Sequence, residues 1–164
     1  MKKMPNWDIL KKNYPAFPAP AVFKQIGGKV ELNFDIGVFG NACATRVSKA
    51  LNGSGGLHKI PFYKAVGPNG KLEGQVSSGR NKDWYIFRVK ILKKYLTENY
   101  GAPESFTPEE YENNIKNRKG IIIYEVNGWS DATGHADLWD GSNCVYQGYG
   151  DVSHKIHFWE ASND

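Results

Sequence analysis

The sequence predicts an α+β fold, with N-terminal helices packed on a C-terminal antiparallel sheet. Helix-period patterning is confined to the first two thirds of the chain, while β-prone runs separated by polar turns fill the last third. No internal repeat or low-complexity linker interrupts the passage from one to the other. With 164 residues, 40% of them hydrophobic and 23% charged, the chain has ordinary globular composition. It is expected to form a single domain over residues 1–164, large enough to bury a substantial core.

The first segment, Pro5 to Tyr14, has a proline suited to a first helical position and apolar Trp7, Ile9 and Leu10, so it predicts a short helix. Pro15-Ala16-Phe17-Pro18-Ala19-Pro20 forces an extended stretch. Ala21 to Ile26 adds a helical turn or two, stopped by Gly27-Gly28. The next helix is clearer. Asn41 is a good N-cap, Cys43, Val47, Ala50 and Leu51 share one face, and Asn52-Gly53 closes it.

Gly53 to Asn81 reads as a long glycine-rich loop. Trp84 to Phe87 is a short strand, Val89 to Asn99 a helix stopped by Gly101, and Thr107-Pro108-Glu109-Glu110 a capping box before another short helix. Ile121 to Val126 is a strongly β-prone central strand, and Asn127 to Gly134 a polar loop containing Trp129. His135 to Trp139 is the next strand, Asp140 to Asn143 a turn, Cys144 to Tyr149 a returning strand, and Ile156 to Trp159 the last.

The formal charge of +4 favours encounter with anionic material without selecting it. Lys2, Lys3, Lys11, Lys12, Lys93 and Lys94 are scattered rather than striped, which argues for a solvated surface and against nucleic-acid binding. No apolar run approaches the length of a membrane span. The start, Met1-Lys2-Lys3-Met4-Pro5-Asn6, lacks the apolar stretch of a secretory signal, so export is expected to use a route without a cleaved leader. Aromatic residues reach 13%, a share that core and rim positions of a mixed domain can absorb.

Chemistry concentrates on two residues. Cys43 lies in the first turn of its predicted helix, close to the positive end of the helix dipole, and His135 opens a strand 92 residues later. A free cysteine on an apolar helix face is most often an inert core thiol. A helix mouth alters that balance, because unpaired N–H groups there stabilise a thiolate or an oxyanion. The order of cysteine on a helix and then histidine on a strand is that of the papain-like thiol hydrolases. His58, His154 and His157 lack comparable surroundings. Four histidines and two cysteines show no C-x-x-C or H-E-x-x-H spacing, and Gly67, Gly70 and Gly74 form no nucleotide-binding pattern, so neither a metal nor a cofactor is expected.

An imidazole base needs a partner that fixes its tautomer. Asp137 alternates onto the same face as His135, but neighbours along one strand point parallel to each other. Asp140 ends the same strand. Hairpin pairing through the Asp140–Asn143 turn brings Tyr146, Gln147 and Gly148 nearest to His135, with Asp151 just beyond, and no carboxylate falls squarely into place.

Gly40-Asn41-Ala42-Cys43-Ala44-Thr45-Arg46-Val47-Ser48, Asn127-Gly128-Trp129-Ser130-Asp131-Ala132-Thr133-Gly134-His135 and Leu138-Trp139-Asp140-Gly141 together resemble the type VI secretion amidase effectors of family four. The likeness extends over most of the chain and includes Lys119-Gly120-Ile121-Ile122-Ile123. It implies a papain-like fold of the NlpC/P60 type and hydrolysis of the γ-D-glutamyl–meso-diaminopimelate bond of peptidoglycan stem peptides. It also implies injection by the type VI secretion machinery into the periplasm of neighbouring cells, and a cognate immunity protein that blocks the site.

On this resemblance Cys43 is the nucleophile, His135 the base and then the acid, and the Cys43 N–H an oxyanion donor. Members of the family carry an aspartate two residues beyond the position of Cys144, and often a second cysteine that forms a local disulfide. Here those places hold Tyr146 and Gly148. Asp140 is therefore taken as the third catalytic residue, with Gln147 and Asp151 as alternates, and Cys144 is left without a local partner. Two other readings remain: a wall hydrolase of the same fold cutting another bond, and a non-catalytic wall-binding module.

Overall fold

The computed structural model describes residues 1–126, 134–148 and 153–164. Four helices come first: α1 (Trp7–Lys12), α2 (Ala19–Ile26), α3 (Gly28–Asp35) and α4 (Cys43–Gly53). In α1 the cap is Asn6 rather than a first-turn proline, its side chain accepting the N–H groups of Asp8 and Ile9 at 2.9 and 3.2 Å. The Gly27-Gly28 pair does stop α2, but it also starts α3, which the sequence pattern did not reveal. Gly27 takes φ +69°, and this left-handed residue redirects the chain so that Gly28 begins a new helix.

The glycine-rich stretch holds two small antiparallel hairpins, β1 (Lys64–Val66) with β2 (Leu72–Gly74) and β3 (Val76–Ser78) with β4 (Trp84–Ile86). Helix α5 (Val89–Tyr100) ends at Gly101 as expected. Beyond β5 (Glu104–Phe106), a short strand absent from the sequence reading, lies the one-turn helix α6 (Tyr111–Asn114). There the Thr107 carbonyl, not its hydroxyl, accepts the N–H groups of Glu110 and Tyr111.

The main sheet is antiparallel in the order β5-β8-β6-β7, with β6 (Gly120–Val126), β7 (Gly134–Trp139) and β8 (Ser153–Glu160) as its longer strands. Alternation along β6 builds two cores. Ile121 and Ile123 join Ala136, Leu138 and Trp159 beneath α4 and α5, while Ile122 and Tyr124 join Ile156, Phe158, Trp139 and Tyr111 on the other face. Among the described helices none is long and apolar enough to cross a membrane.

Helix α4 packs against β7, β4 and α1, with Cys43, Ala44, Val47, Ala50 and Leu51 buried. Two polar side chains lock it to β4. The Ser48 hydroxyl accepts the Ile86 N–H at 2.9 Å and reaches the Ala44 carbonyl at 2.9 Å, and the Asn52 amide donates to the Trp84 carbonyl at 2.8 Å. Ser48→Ala strands the buried Ile86 N–H, and an orphaned buried donor costs about 1–3 kcal/mol. Urea denaturation of this variant is expected to show that loss in the midpoint with the slope unchanged.

One predicted element is only half formed. The returning strand begins as expected, with Trp139 bridged to Cys144 and the Val145 N–H bonded to the Leu138 carbonyl at 2.9 Å. The ladder then stops, because the Asp137 carboxylate takes the next two backbone donors. Oδ1 accepts the Tyr146 N–H at 3.1 Å and Oδ2 the Gln147 N–H at 2.8 Å. A side chain has replaced the opposite strand, and the site is built on that replacement.

Candidate active site

Cys43 is the first residue of α4 and is 2% exposed. Asn41 does act at this helix mouth, one residue out of register with the expected cap. Ala42 is the capping residue, and the Asn41 Oδ1 accepts the Cys43 N–H at 3.0 Å. The backbone donor closest to the sulfur is therefore held by a side chain, and an oxyanion at that N–H must displace Asn41.

His135 lies in β7, directly across from Tyr124, whose ring stacks on the imidazole at 6.0 Å between centroids. Its Nε2 is 2.6 Å from the Gln147 carbonyl oxygen and 3.3 Å from the Asp137 Oδ2. A carbonyl only accepts, so Nε2 carries a proton, and the Cys43 side chain interacts with the same imidazole. Burial pulls the imidazole pKa down. The Asp137 carboxylate and the Cys43 sulfur outweigh it, and the pKa is pushed up to about 9.

Asp137 is fully buried and accepts hydrogen bonds on both oxygens. Besides Tyr146 and Gln147 it takes the N–H of its own neighbour Leu138 at 2.7 Å. The Tyr14 hydroxyl is buried beside this carboxylate without a full hydrogen bond. Burial, then the Asp137 charge, push its ionisation far above the usual phenol range.

The expected third residue, Asp140, is not brought to the imidazole. Its carboxylate caps the turn, accepting the N–H groups of Ser142 and Asn143 at 2.9 and 2.8 Å. An aspartate heading a tight turn finds those donors locally, whereas the ring of His135 lies farther back along the strand. Gln147 contributes through its backbone, not its side chain. Asp151 and the Asn127–Thr133 part of the predicted histidine loop, with Trp129, lie outside the described residues.

The sequence did carry a signal for Asp137, namely its same-face alternation with His135. The parallel-pointing argument set it aside, since residues two apart on a strand lie about 7 Å apart at Cα. Strand side chains lean along the strand, however, and these two lean far enough to close the gap to 3.3 Å.

Two of the other histidines, His58 and His157, are otherwise occupied. His58 Nδ1 pairs with the Tyr100 hydroxyl at 2.9 Å. His157 uses both nitrogens, Nδ1 with the Ser105 hydroxyl and Nε2 with Glu125, each at 2.8 Å. Both cysteines are free. Cys144 is paired with the Tyr124 hydroxyl at 3.1 Å, and burial, helped by the Asp137 charge, pushes its thiol up to about 12. Iodoacetamide at neutral pH is therefore expected to label Cys43 about ten-fold faster than Cys144, read by peptide mass, since the thiolate is the reacting form. Equal rates would mean that Cys43 is an inert core thiol.

A family model described as type VI secretion system amidase effector protein 4 (Tae4) matches residues 39–159, the span that holds this whole constellation. The chain belongs to this family. It is an amidase effector of type VI secretion, a hydrolase acting on peptidoglycan. Its fold is that of Tae4 and close to the papain-like NlpC/P60 type. The type VI effector Tae4 from Enterobacter cloacae is 30% identical, with 99% of this chain and 100% of that chain covered and a TM-score of 0.80. Tae4 in the Tae4–Tai4 effector–immunity complex from Salmonella Typhimurium is 29% identical, with 96% and 99% covered and a TM-score of 0.79. None of the curated proteins matches the sequence.

Proposed function

We propose that this Tae4 chain hydrolyses the γ-D-glutamyl–meso-diaminopimelate bond of peptidoglycan stem peptides, with Cys43 as nucleophile, His135 as acid and base, and Asp137 as the carboxylate that orients the imidazole. The observation that carries this reading is the placement of the His135 ring between Cys43 and the Gln147–Asp137 pair. Nε2–H is given to Gln147 and backed by Asp137, while the Cys43 side chain interacts with the same ring, so thiol and imidazole can exchange a proton.

The Cys43 sulfur attacks the glutamyl carbonyl carbon and forms the C–S bond of a tetrahedral intermediate. Collapse breaks the C–N bond, and the imidazolium protonates the departing diaminopimelate amine. The neutral imidazole then takes a proton from water, hydroxide adds to the thioester carbonyl, and the C–S bond breaks to release the glutamyl acid. An imidazolium that persists to about pH 9 is suited to the leaving-group step. Asn41 either yields the Cys43 N–H to the oxyanion or turns its own amide donor toward it.

Delivery by type VI secretion places this action in the periplasm of the target cell, where the stem peptides are. Tae4 of Salmonella Typhimurium and of Enterobacter cloacae was solved in complex with Tai4. We assign a corresponding immunity protein to this chain, one that covers the Cys43–His135 mouth.

Purified sacculi incubated with the wild-type protein and analysed by mass spectrometry are the direct test. New glutamyl carboxylates and diaminopimelate amines are expected. Unchanged sacculi would overturn the catalytic reading, and cleavage elsewhere would move the activity to another peptidoglycan bond.

A further inference from the structure

Tyr146 lies two residues beyond Cys144, and its ring has a defined partner. The Arg46 guanidinium lies over it with Cζ 3.9 Å from the ring centroid. Arg46 is one turn beyond Cys43 on α4 and only 4% exposed. Its Nε donates to the Pro15 carbonyl at 3.2 Å and its Nη2 to the Phe17 carbonyl at 2.9 Å. Among the described residues no carboxylate forms an ion pair with it. A buried guanidinium held by two carbonyls and one aromatic face is anchored on three sides, and an aromatic face attracts a desolvated cation strongly.

The consequence lies in the backbone of that tyrosine. The Tyr146 N–H and the Gln147 N–H hold the two oxygens of Asp137, and the Gln147 carbonyl takes the Nε2 proton of His135. This two-residue segment has left the β-ladder, and among the described residues it pairs with no strand. Among the described residues, the Asp137 carboxylate and the His135 imidazole hold it from one side and the Arg46–Tyr146 stack from the other.

We propose that Arg46 and Tyr146 are positioning residues for the hydrolysis: their stack clamps the 146–147 backbone to the helix that carries Cys43, and so keeps the thiol, the imidazole and the Asp137 carboxylate in one register. The device spans three parts of the chain, joining the Pro15–Phe17 segment, α4 and the departing return strand. It rests on the catalytic assignment above. With the carboxylate supplied from β7 by Asp137, Tyr146 holds the backbone that grips it.

The experiment compares the wild type with Tyr146→Ala and Tyr146→Phe. Tyr146 is 36% exposed, so truncation leaves the core intact, and matched thermal midpoints confirm folding. Two readouts are taken: kcat and KM on stem-peptide substrate, and the titration of His135 followed by NMR. Tyr146→Ala is expected to lower kcat about 10–100-fold with KM changed less than about three-fold, and to move the His135 titration down in pH. Tyr146→Phe keeps the aromatic face and is expected to restore both. An unchanged His135 titration in Tyr146→Ala would overturn the clamp. Because the titration needs no turnover, it decides the clamp even if the wild type cuts no stem peptide, and the two readings fail separately.

Discussion

Cys43→Ala is expected to reduce sacculus hydrolysis by about 10⁴-fold or more, the scale on which loss of a covalent nucleophile removes turnover. Among the described residues, the other two candidate nucleophiles near the imidazole cannot form the acyl intermediate. Cys144 is held as a protonated thiol by burial and bonded to Tyr124, and the Tyr14 hydroxyl is kept un-ionised beside Asp137. Folding is expected to survive, since exchanging a thiol for a hydrogen at one buried position costs about 1 kcal/mol. The Cys43 sulfur also helps to hold the His135 proton, so the variant is expected to lower the imidazole pKa from about 9. Fragment mass analysis reads the first effect and NMR of the His135 ring the second. Turnover in Cys43→Ala within ten-fold of wild type would remove Cys43 from the mechanism.

The same imidazole gives a pH signature in stability. Its folded-state pKa of about 9 lies above the ordinary 6.5, so the protonated ring favours the folded state. That contribution is complete below pH 6.5 and is lost as pH rises to about 9. Denaturation midpoints measured across this window are expected to fall with pH, and to fall less in a His135→Gln variant.

The helices around Cys43 and the hydrophobic strand β6 were legible in the sequence because each is written in local periodicity. The proposed nucleophile and base were legible for a related reason, since both sit near element termini that local signals define: Asn41 before α4 and Gly134 before His135. What was not legible depended on competition between a side chain and a strand. Pairing arithmetic for the return strand is correct at Trp139–Cys144 and fails two residues later, where Asp137 captures the donors of Tyr146 and Gln147. No periodicity announces that a carboxylate will outbid a ladder. Asp140 drew attention because turn aspartates stand out in sequence, yet the turn itself consumes its carboxylate. The resemblance also pointed to position 146 for a carboxylate, whereas the carboxylate beside the imidazole is Asp137 on β7.

Asp137→Asn is the variant that separates these two aspartates, and it is expected to lower kcat by about 10²–10⁴-fold, the range lost when a base is left in the wrong orientation or tautomer. Four donors converge on this carboxylate: the N–H groups of Leu138, Tyr146 and Gln147 and the His135 Nε2–H. An amide offers one acceptor oxygen, so its NH₂ must face either the Leu138 and Tyr146 donors or the Gln147 and His135 donors. Either placement sets donor against donor in a buried site. The 146–147 segment loosens, its carbonyl leaves Nε2, and the imidazole keeps the burial that lowers its pKa while losing the charge that raised it. The alkaline limb of the rate profile is therefore expected to move down from about pH 9, because the ring gives up its proton earlier. Asp140→Asn retains an acceptor for the turn and does not touch the imidazole, so its kcat is expected to stay within about three-fold of wild type, with at most about 1 kcal/mol lost in stability. The reverse pattern, a silent Asp137→Asn and a crippled Asp140→Asn, would place the orienting carboxylate in the turn and break the link between the half-formed strand and the chemistry.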